Sequence, residues 1–340
     1  MNLRQVDIGC YGCIKQARLA LTPLHALIGP NDSGKSTILH ALRSAQSLVG
    51  QAQTVDPYFT KGTDLAMRSD DDGTYHLHFH GDSDYTVHFE SFAPGQISFR
   101  GSGPVTSHPE LRSSFRPGSA HLLRLDPDRL RAPSDLLPDS APTYFADERG
   151  YGLPAVYDHL INKNVQGFLE IVEDVRHLFP SVRKLQLRNV DSRQKSIEVE
   201  LTTGTKIAAE FMSEGLLYYL AFAVLKHLDS ARMLLVEEPE NGLHPARIKE
   251  VVQILRAISQ RTPVVLATHS PLVVNELEAD EVSVVTRTIE DGTLVRPIAE
   301  TPNFKRRSEV YALGELWLSY ANGDDEAPLF HDSTVSMDNA

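Results

Sequence analysis

Leu24-His25-Ala26-Leu27-Ile28-Gly29-Pro30-Asn31-Asp32-Ser33-Gly34-Lys35-Ser36-Thr37 is the stretch that decides how this 340-residue chain is read. Five mostly apolar residues lead into a turn bounded by two glycines. The following segment, Ser36–Leu48, places Ile38, Leu39, Leu42 and Leu48 at helical spacing. A small-residue turn between a buried strand and a helix exposes a row of backbone N–H groups at the positive end of the helix. That is a concave anion site. Gly29 and Gly34 permit backbone conformations and close approaches that a Cβ blocks. The pattern predicts that Gly29, Pro30, Asn31, Asp32, Ser33, Gly34, Lys35, Ser36 and Thr37 cradle the phosphates of ATP. Lys35 is expected to reach the β- and γ-phosphates, and the Ser36 hydroxyl to ligate Mg²⁺.

A phosphate loop alone hydrolyses nothing, so a second half is sought further along. Met233-Leu234-Leu235-Val236-Glu237-Glu238-Pro239 is a continuous apolar run ending in two carboxylates. Such runs mark strands buried on both faces of a parallel sheet, and α/β sheets bind ligands at their strand C-terminal ends. Glu237 is placed to hold Mg²⁺. Glu238 is placed to orient or deprotonate an attacking water, because adjacent side chains diverge at a strand end. A second apolar strand, Val264-Val265-Leu266-Ala267-Thr268, runs into His269-Ser270-Pro271. His269 there either hydrogen-bonds a γ-phosphate or its attacking water, or merely caps the strand. Met212-Ser213-Glu214-Gly215 opens an apolar helix. Ser213 is a good N-cap, and the same helix start also suits a γ-phosphate brought by a partner subunit.

The rest of the chain organises around these four elements. Short strands are expected at Leu3–Ile8 and Ile14–Leu21, and an antiparallel meander at Thr74–His80, Tyr85–Phe92 and Gln96–Phe99. Residues 101–150 are rich in Pro, Ser, Gly and Asp and read as a loop-rich insertion with one ordered piece at His121–Leu130. Helices are expected at Leu153–Ile161, Val165–Leu178, Glu214–Leu228, Ala246–Ser259 and Leu272–Leu277. Further strands are expected at Ser196–Leu201, Lys206–Phe211 and Val282–Thr286. Alternating strands and helices in the last third signal a mainly parallel sheet with covering helices. Lys305-Arg306-Arg307 precedes an amphipathic helix over Val310–Leu318 whose Trp317 is expected to dock on the domain's own core. The acidic residues 322–340 read as a disordered tail.

The four elements, in this order, resemble the ABC-type ATPases of the RecF, SMC and OLD (overcoming lysogenization defect) group. The resemblance rests on the phosphate loop, Ser213-Glu214-Gly215, Glu238-Pro239-Glu240-Asn241-Gly242-Leu243-His244-Pro245 and Thr268-His269-Ser270-Pro271. It covers about residues 1–290. It implies an α/β fold: a P-loop ABC-type ATPase head with a mainly parallel core sheet, an antiparallel β meander and a helical, loop-rich insertion. One such domain is expected over 1–300, with a phosphate-loop and β lobe in 1–100, the insertion in 101–182, and signature, acidic strand and switch histidine in 183–300. A helix and tail follow in 301–340. The resemblance also implies two ATP molecules sandwiched in a head-to-tail homodimer, each site completed by Ser213 and Gly215 of the other copy. Glu238 and His269 are then the catalytic residues, and ATP and Mg²⁺ the cofactors. In that group, closure is a switch on DNA or on an effector protein, often in DNA repair or anti-phage defence. Two departures stand out. Glu237 occupies a position where many relatives carry Asp, and Gln51, Gln53 and Gln96 compete for the Q-loop position.

Composition narrows the alternatives. Formal charge is −12, from 33 basic and 45 acidic residues, which argues against a uniformly basic nucleic-acid coat. The two cysteines, Cys10 and Cys13, form no disulfide framework, and as a lone C-x-x-C they make a poor zinc or redox site. Met1-Asn2-Leu3-Arg4-Gln5 has no apolar core of a signal peptide, and the longest apolar stretch, Leu216 to Leu225, is too short for a bilayer. A cytoplasmic setting without membrane partner is expected. A transporter nucleotide-binding subunit is disfavoured because the Leu and Gln flanks of its signature are missing, and a non-catalytic ATP-sensing scaffold is disfavoured by Glu238. About 195 residues without heptads separate Thr37 from Met233, and 71 residues follow His269. Neither a long coiled-coil arm nor a nuclease domain is therefore expected on this chain. His76, His78 and His80 share one strand face and read as a solvated face or a metal pair, and Tyr11 is placed near the adenine.

Overall fold

Alternating apolar residues at the N-terminus close a hairpin. Strands β1 (Gln5–Tyr11) and β2 (Ile14–Ala20) pair antiparallel, and Tyr11 faces Ile14 across a turn in which Gly12 takes φ +55. The computed structural model describes residues 5–48, 74–80, 85–93, 96–102, 120–138, 143–228, 231, 233–301 and 304–321. The chain divides into two compact units. The first comprises Met1–Leu122, Arg232–Leu235 and Pro263–Ala340, and the second Leu123–Ala231 and Val236–Thr262.

In the first unit, β3 (Leu24–Ile28) leads into helix α1 (Lys35–Leu48). Strands β4 (Thr74–His80), β5 (Tyr85–Ala93) and β6 (Gln96–Ser102) complete a five-stranded antiparallel sheet in the order β2-β1-β4-β5-β6. This is the meander expected from the alternation. A six-stranded sheet forms the other layer. It is assembled from β3, β7 (Ala120–Leu123), β12 (Met233–Glu237), β13 (Val264–Thr268), β14 (Val282–Thr288) and β15 (Gly292–Pro297), in the order β15-β14-β3-β13-β12-β7. Strand β3 pairs parallel with both β13 and β14, whereas β15 returns antiparallel to β14. Val264 N–H donates to Pro23 O at 2.8 Å, and Leu234 N–H donates to Pro263 O at 2.9 Å. The same stagger thus starts β13 on β3 and β12 on β13. Every residue of β3 and β13 is buried, as strands covered on both faces must be. Helix α1 fills the space between the two layers. Its Ile38, Leu39, Ala41 and Leu42 share one core cluster with Val6, Ile8 and Leu19 of the hairpin and with Leu27, Leu235, Val265 and Val285 of the larger sheet. Each such side chain contributes roughly 1.5–3 kcal/mol by leaving water.

The second unit holds α2 (Pro127–Arg131), β8 (Ser134–Asp135), α3 (Leu153–Lys163), α4 (Val165–Leu178), β9 (Val182–Asn189), β10 (Gln194–Leu201), β11 (Lys206–Ala208), α5 (Glu214–Leu225) and α6 (Pro245–Ser259). Strand β10 is central, flanked by β11, β8 and β9, all antiparallel. All residues from Leu216 to Leu225 of α5 are buried, so this helix, apolar all round, is the unit's core. Tyr157 of α3 donates its hydroxyl to Leu220 O at 2.9 Å, and the rings of Phe179 and Tyr219 lie 5.7 Å apart.

Several boundaries differ from expectation for local reasons. The strand expected over Lys206–Phe211 stops at Ala208, because Met212 N–H bonds Ala209 O and closes a 3₁₀ turn over Ala209–Phe211. That turn sets Ser213 in extended conformation as the cap of α5. Helix α5 ends at Leu225 rather than Leu228, its last residues bonding in i→i+3 fashion. The helix expected over Leu272–Leu277 is a single turn, α7 (Pro271–Val274). The helix expected over Val310–Leu318 is α9 (Leu313–Ala321), and a short helix that was not expected, α8 (Phe304–Ser308), precedes it. The Glu315 carboxylate accepts from Ala312 N–H at the start of α9. Residues 103–119 of the loop-rich insertion and the tail 322–340 lie outside the described residues, as do Gln51 and Gln53.

Candidate functional site

The turn after β3 takes the shape a phosphate loop requires. Ser33 N–H reaches back to Pro30 O, Ile38 N–H bonds Gly34 O, and Asp32 between them adopts φ +63. Left-handed backbone at a residue that is not glycine is strained by about 1–3 kcal/mol and gathers at functional sites. Gly29 lies hard against β14, where a Cβ would sit 2.1 Å from Val285 O. Gly34 has φ +106, and a Cβ there would meet Thr293 Oγ1 at 2.4 Å. Both glycines are therefore demanded by space, and Gly34 by conformation as well. The Lys35 side chain is buried and folds over the loop, its ammonium donating to Gly29 O at 2.7 Å and Pro30 O at 2.8 Å. Asn31, Asp32 and Ser36 are exposed, and Thr37 is half-buried.

The sequence reading missed the support behind this loop. Thr293, fully buried at 0% exposure on β15, donates its hydroxyl to Ser33 O at 3.0 Å. Its backbone N–H bonds Cys13 O, and its Oγ1 lies 3.3 Å from Cys13 Sγ, which in turn donates to Thr37 Oγ1 at 3.4 Å. The Asp291-Gly292 turn followed by alternating Thr293-Leu294-Val295 was the available signal. Cys13 thus packs behind the loop, while the side chain of Cys10 lies outside the described residues. A cavity of about 1030 Å³ opens beside the loop, its wall including Cys13, Lys15, Asn31, Asp32, Arg287 and Gly292. Tyr11, placed near the adenine by the sequence reading, is buried in the core cluster.

His269 directly follows β13 and is exposed. Thr268 Oγ1 beside it accepts from Ser270 N–H at 2.9 Å, and the His269 carbonyl accepts from Trp317 Nε1 at 3.1 Å. Trp317 is buried, as expected for docking on the chain's own core.

In the second unit, Glu237 ends β12 and is 8% exposed. Its Oε1 is buried without a hydrogen-bond partner among the described residues, and Oε2 lies 3.7 Å from Arg124 Nε. A buried carboxylate oxygen with no donor suits a hard cation that takes oxygen ligands, so this residue fits Mg²⁺, as does the exposed Ser36 hydroxyl. Glu238 adopts φ +48, the second non-glycine residue of the described chain in the left-handed region. Asn241 N–H closes the turn on Glu238 O, and Gly242 follows at φ +69. His244 then caps α6, its Nδ1 accepting from Ala246 N–H with Pro245 at the first helical position. This turn packs on the start of α5. A Cβ on Gly215 would lie 3.4 Å from Gly242 O, and a Cβ on Gly242 would strike the Tyr218 ring at 2.4 Å. Ser213 is exposed and accepts from Leu216 N–H at 3.4 Å, so its capping role is observed. His76, His78 and His80 lie on β4 and Gln96 starts β6, but their side chains lie outside the described residues.

Comparison with known proteins places this geometry. A family model described as an AAA domain, putative AbiEii toxin, Type IV TA system matches residues 125–275, and an AAA ATPase domain model matches residues 1–47. The fold matches a solved SMC head bound to the C-winged helix domain of ScpA, with TM-score 0.61 and 15% identity over 87% of this chain and 97% of that one. The chain has the fold of an SMC ATPase head. The head also matches the SMC head domain from Thermotoga maritima (TM-score 0.51, 13% identity, 88% and 99% coverage). A third match is an Smc head with an extended coiled coil, bound to the C-terminal domain of ScpA and derived from Pyrococcus furiosus (TM-score 0.57, 13% identity, 91% and 99% coverage). No curated protein matches the sequence significantly. Among the described residues, no helix is long and apolar enough to cross a membrane.

Proposed function

We propose that this head binds ATP with Mg²⁺ at residues 29–37, hydrolyses it, and pairs head-to-tail with a second copy so that nucleotide state switches an effector protein or a DNA transaction. The observation that carries the reading is the loop between β3 and α1, with the buried Lys35 ammonium held over it by two backbone carbonyls. In the free protein that ammonium is already positioned where phosphate oxygens would replace the carbonyls. Backbone N–H groups at the start of α1 supply the remaining donors for a polyphosphate. Ser36 and the unpartnered Oε1 of Glu237 would hold Mg²⁺, which when bound neutralises charge on the β- and γ-phosphates. Glu238 orients the attacking water and takes its proton, while His269 donates to the γ-phosphate or holds that water. Ser213 and Gly215 serve the nucleotide of the other copy, the exposed start of α5 presenting the positive end of the helix to a γ-phosphate. A role in DNA repair or anti-phage defence is part of this proposal. The toxin–antitoxin wording of the matching family description supports the defence reading.

The test is a Glu238→Gln variant, which retains the metal and phosphate contacts and loses only the base. With saturating MgATP it should accumulate as an ATP-bound dimer in light scattering, with turnover reduced at least about a hundredfold. A variant that remains monomeric under those conditions sinks the head-to-tail reading. Turnover equal to wild type removes Glu238 as the base.

A further inference from the structure

We infer that the C-terminal helix α9 is the positioning element for His269, an inference that rests on the role proposed above for that histidine. The segment carrying His269 has little means of holding its own place. Helix α7, which follows it, is one turn long, and its cap residue Ser270 makes no side-chain capping bond. An isolated helical turn is unstable, so its orientation must be imposed by what it packs on.

Three contacts from α9 impose it, spread over both ends of α7. Trp317, 3% exposed, gives its indole N–H to the carbonyl of His269 itself at 3.1 Å. A buried indole N–H requires an acceptor, and here the acceptor is the backbone of the switch histidine. Gly314 N–H donates to Asn275 Oδ1 at 2.7 Å, beyond the other end of α7. Between them, Gly314 lies directly on the carbonyl of Pro271, where a Cβ would sit at 2.1 Å. No side chain fits there, so the backbones of α9 and α7 meet without a cushion. On the strand side, Thr268 Oγ1 fixes Ser270 N–H at 2.9 Å. The His269 backbone is thereby held from both sides while its imidazole remains exposed. The geometry assigns Trp317, Gly314 and Asn275 as positioning residues that act through His269 and not on nucleotide directly.

The experiment is a double-mutant cycle on steady-state ATP turnover of the full chain, using Trp317→Phe, His269→Ala and the pair. Trp317→Phe keeps the ring in the core and deletes one hydrogen bond. It should lower kcat about fivefold, the equivalent of one net hydrogen bond, and leave KM for ATP within twofold because the phosphate loop is untouched. In the His269→Ala background the same substitution should lower kcat no further, since a positioning residue has nothing left to position. Asn275→Asp, which retains the acceptor oxygen, should behave as wild type, whereas Asn275→Leu should follow Trp317→Phe. An unchanged kcat in Trp317→Phe, or an equal loss in both backgrounds, overturns the inference. Wild-type turnover in His269→Ala instead overturns the role of His269 and the inference with it. A wild-type chain without turnover overturns the hydrolytic reading on which both depend.

Discussion

Replacing Thr293 by valine should weaken ATP binding although the residue contacts no nucleotide in the proposed site. The substitution keeps side-chain volume and the β-branched shape that β15 prefers, so packing is nearly unchanged. What it removes is the hydroxyl that donates to Ser33 O at 3.0 Å within a fully buried site. A buried carbonyl left without its donor costs about 1–3 kcal/mol, and burying a methyl in place of a hydroxyl returns part of that. A net loss of about 1–2 kcal/mol remains, localised at the loop. Expressed as affinity, this is roughly a five- to thirtyfold rise in Kd for MgATP. If part of it appears as global stability instead, Tm falls by only a few degrees for a chain of this size. Isothermal titration with MgATP and thermal melting separate the two. Thr293→Ser, which restores the hydroxyl, is the control and should bind ATP close to wild type. An affinity for Thr293→Val within twofold of wild type refutes the argument. So does a Thr293→Ser variant as weak as the valine, because the deficit then belongs to packing and not to the hydrogen bond.

Other perturbations of the loop should be more severe. Gly34→Ala forces an alanine to φ +106 and sets its Cβ 2.4 Å from Thr293 Oγ1. Strain and overpacking together cost about 2–6 kcal/mol, and ATP should no longer raise the melting temperature. Lys35→Ala deletes the ammonium and should raise Kd for MgATP more than about a hundredfold in the same titration. Stability should also depend on pH through His25. Burial pushes its pKa down to about 4, against a smaller opposing influence of Glu281. Its folded-state pKa lies below the unfolded value of 6.5, so the unfolded chain binds the proton first. Stability is therefore full above pH 6.5 and is lost as pH falls toward 4, by about 3 kcal/mol from this residue. His121, lowered to about 4 by burial and then by Arg43, acts in the same direction. Urea midpoints measured from pH 7 to pH 4.5 should fall, and His25→Asn should flatten that slope.

Strands β3, β12 and β13 were legible because each is a five-residue, mostly apolar run, which reads as a strand buried on both faces. Glycine spacing fixed the loop before any neighbour was known. Strand β9 was not legible. Val182 and Leu185 are its buried residues, and the lysine and arginines between and after them read as a solvated loop until β10 supplies a partner. Strand β15 was missed for a related reason: six residues returning on β14 carry little hydrophobic signal of their own. The Asp291-Gly292 turn hints at a hairpin there, but only the pairing of β15 on β14 brings Thr293 behind the loop. The C-terminal helix starts three residues later than expected because the Glu315 carboxylate caps it at Ala312, a local bond that apolar spacing does not reveal.

Both neighbours of β3 come from residues 264–288, and the hydroxyl that backs the phosphate loop comes from residue 293. During synthesis the loop leaves the ribosome early and waits for some 250 residues of chain before its walls exist. The nascent protein cannot draw on ATP to stabilise itself while β3 lacks its partners. Folding must be carried by apolar burial in the N-terminal hairpin and α1 until the last strands arrive. On the proposed reading, full affinity for ATP would arise only in a chain that has been made past residue 293.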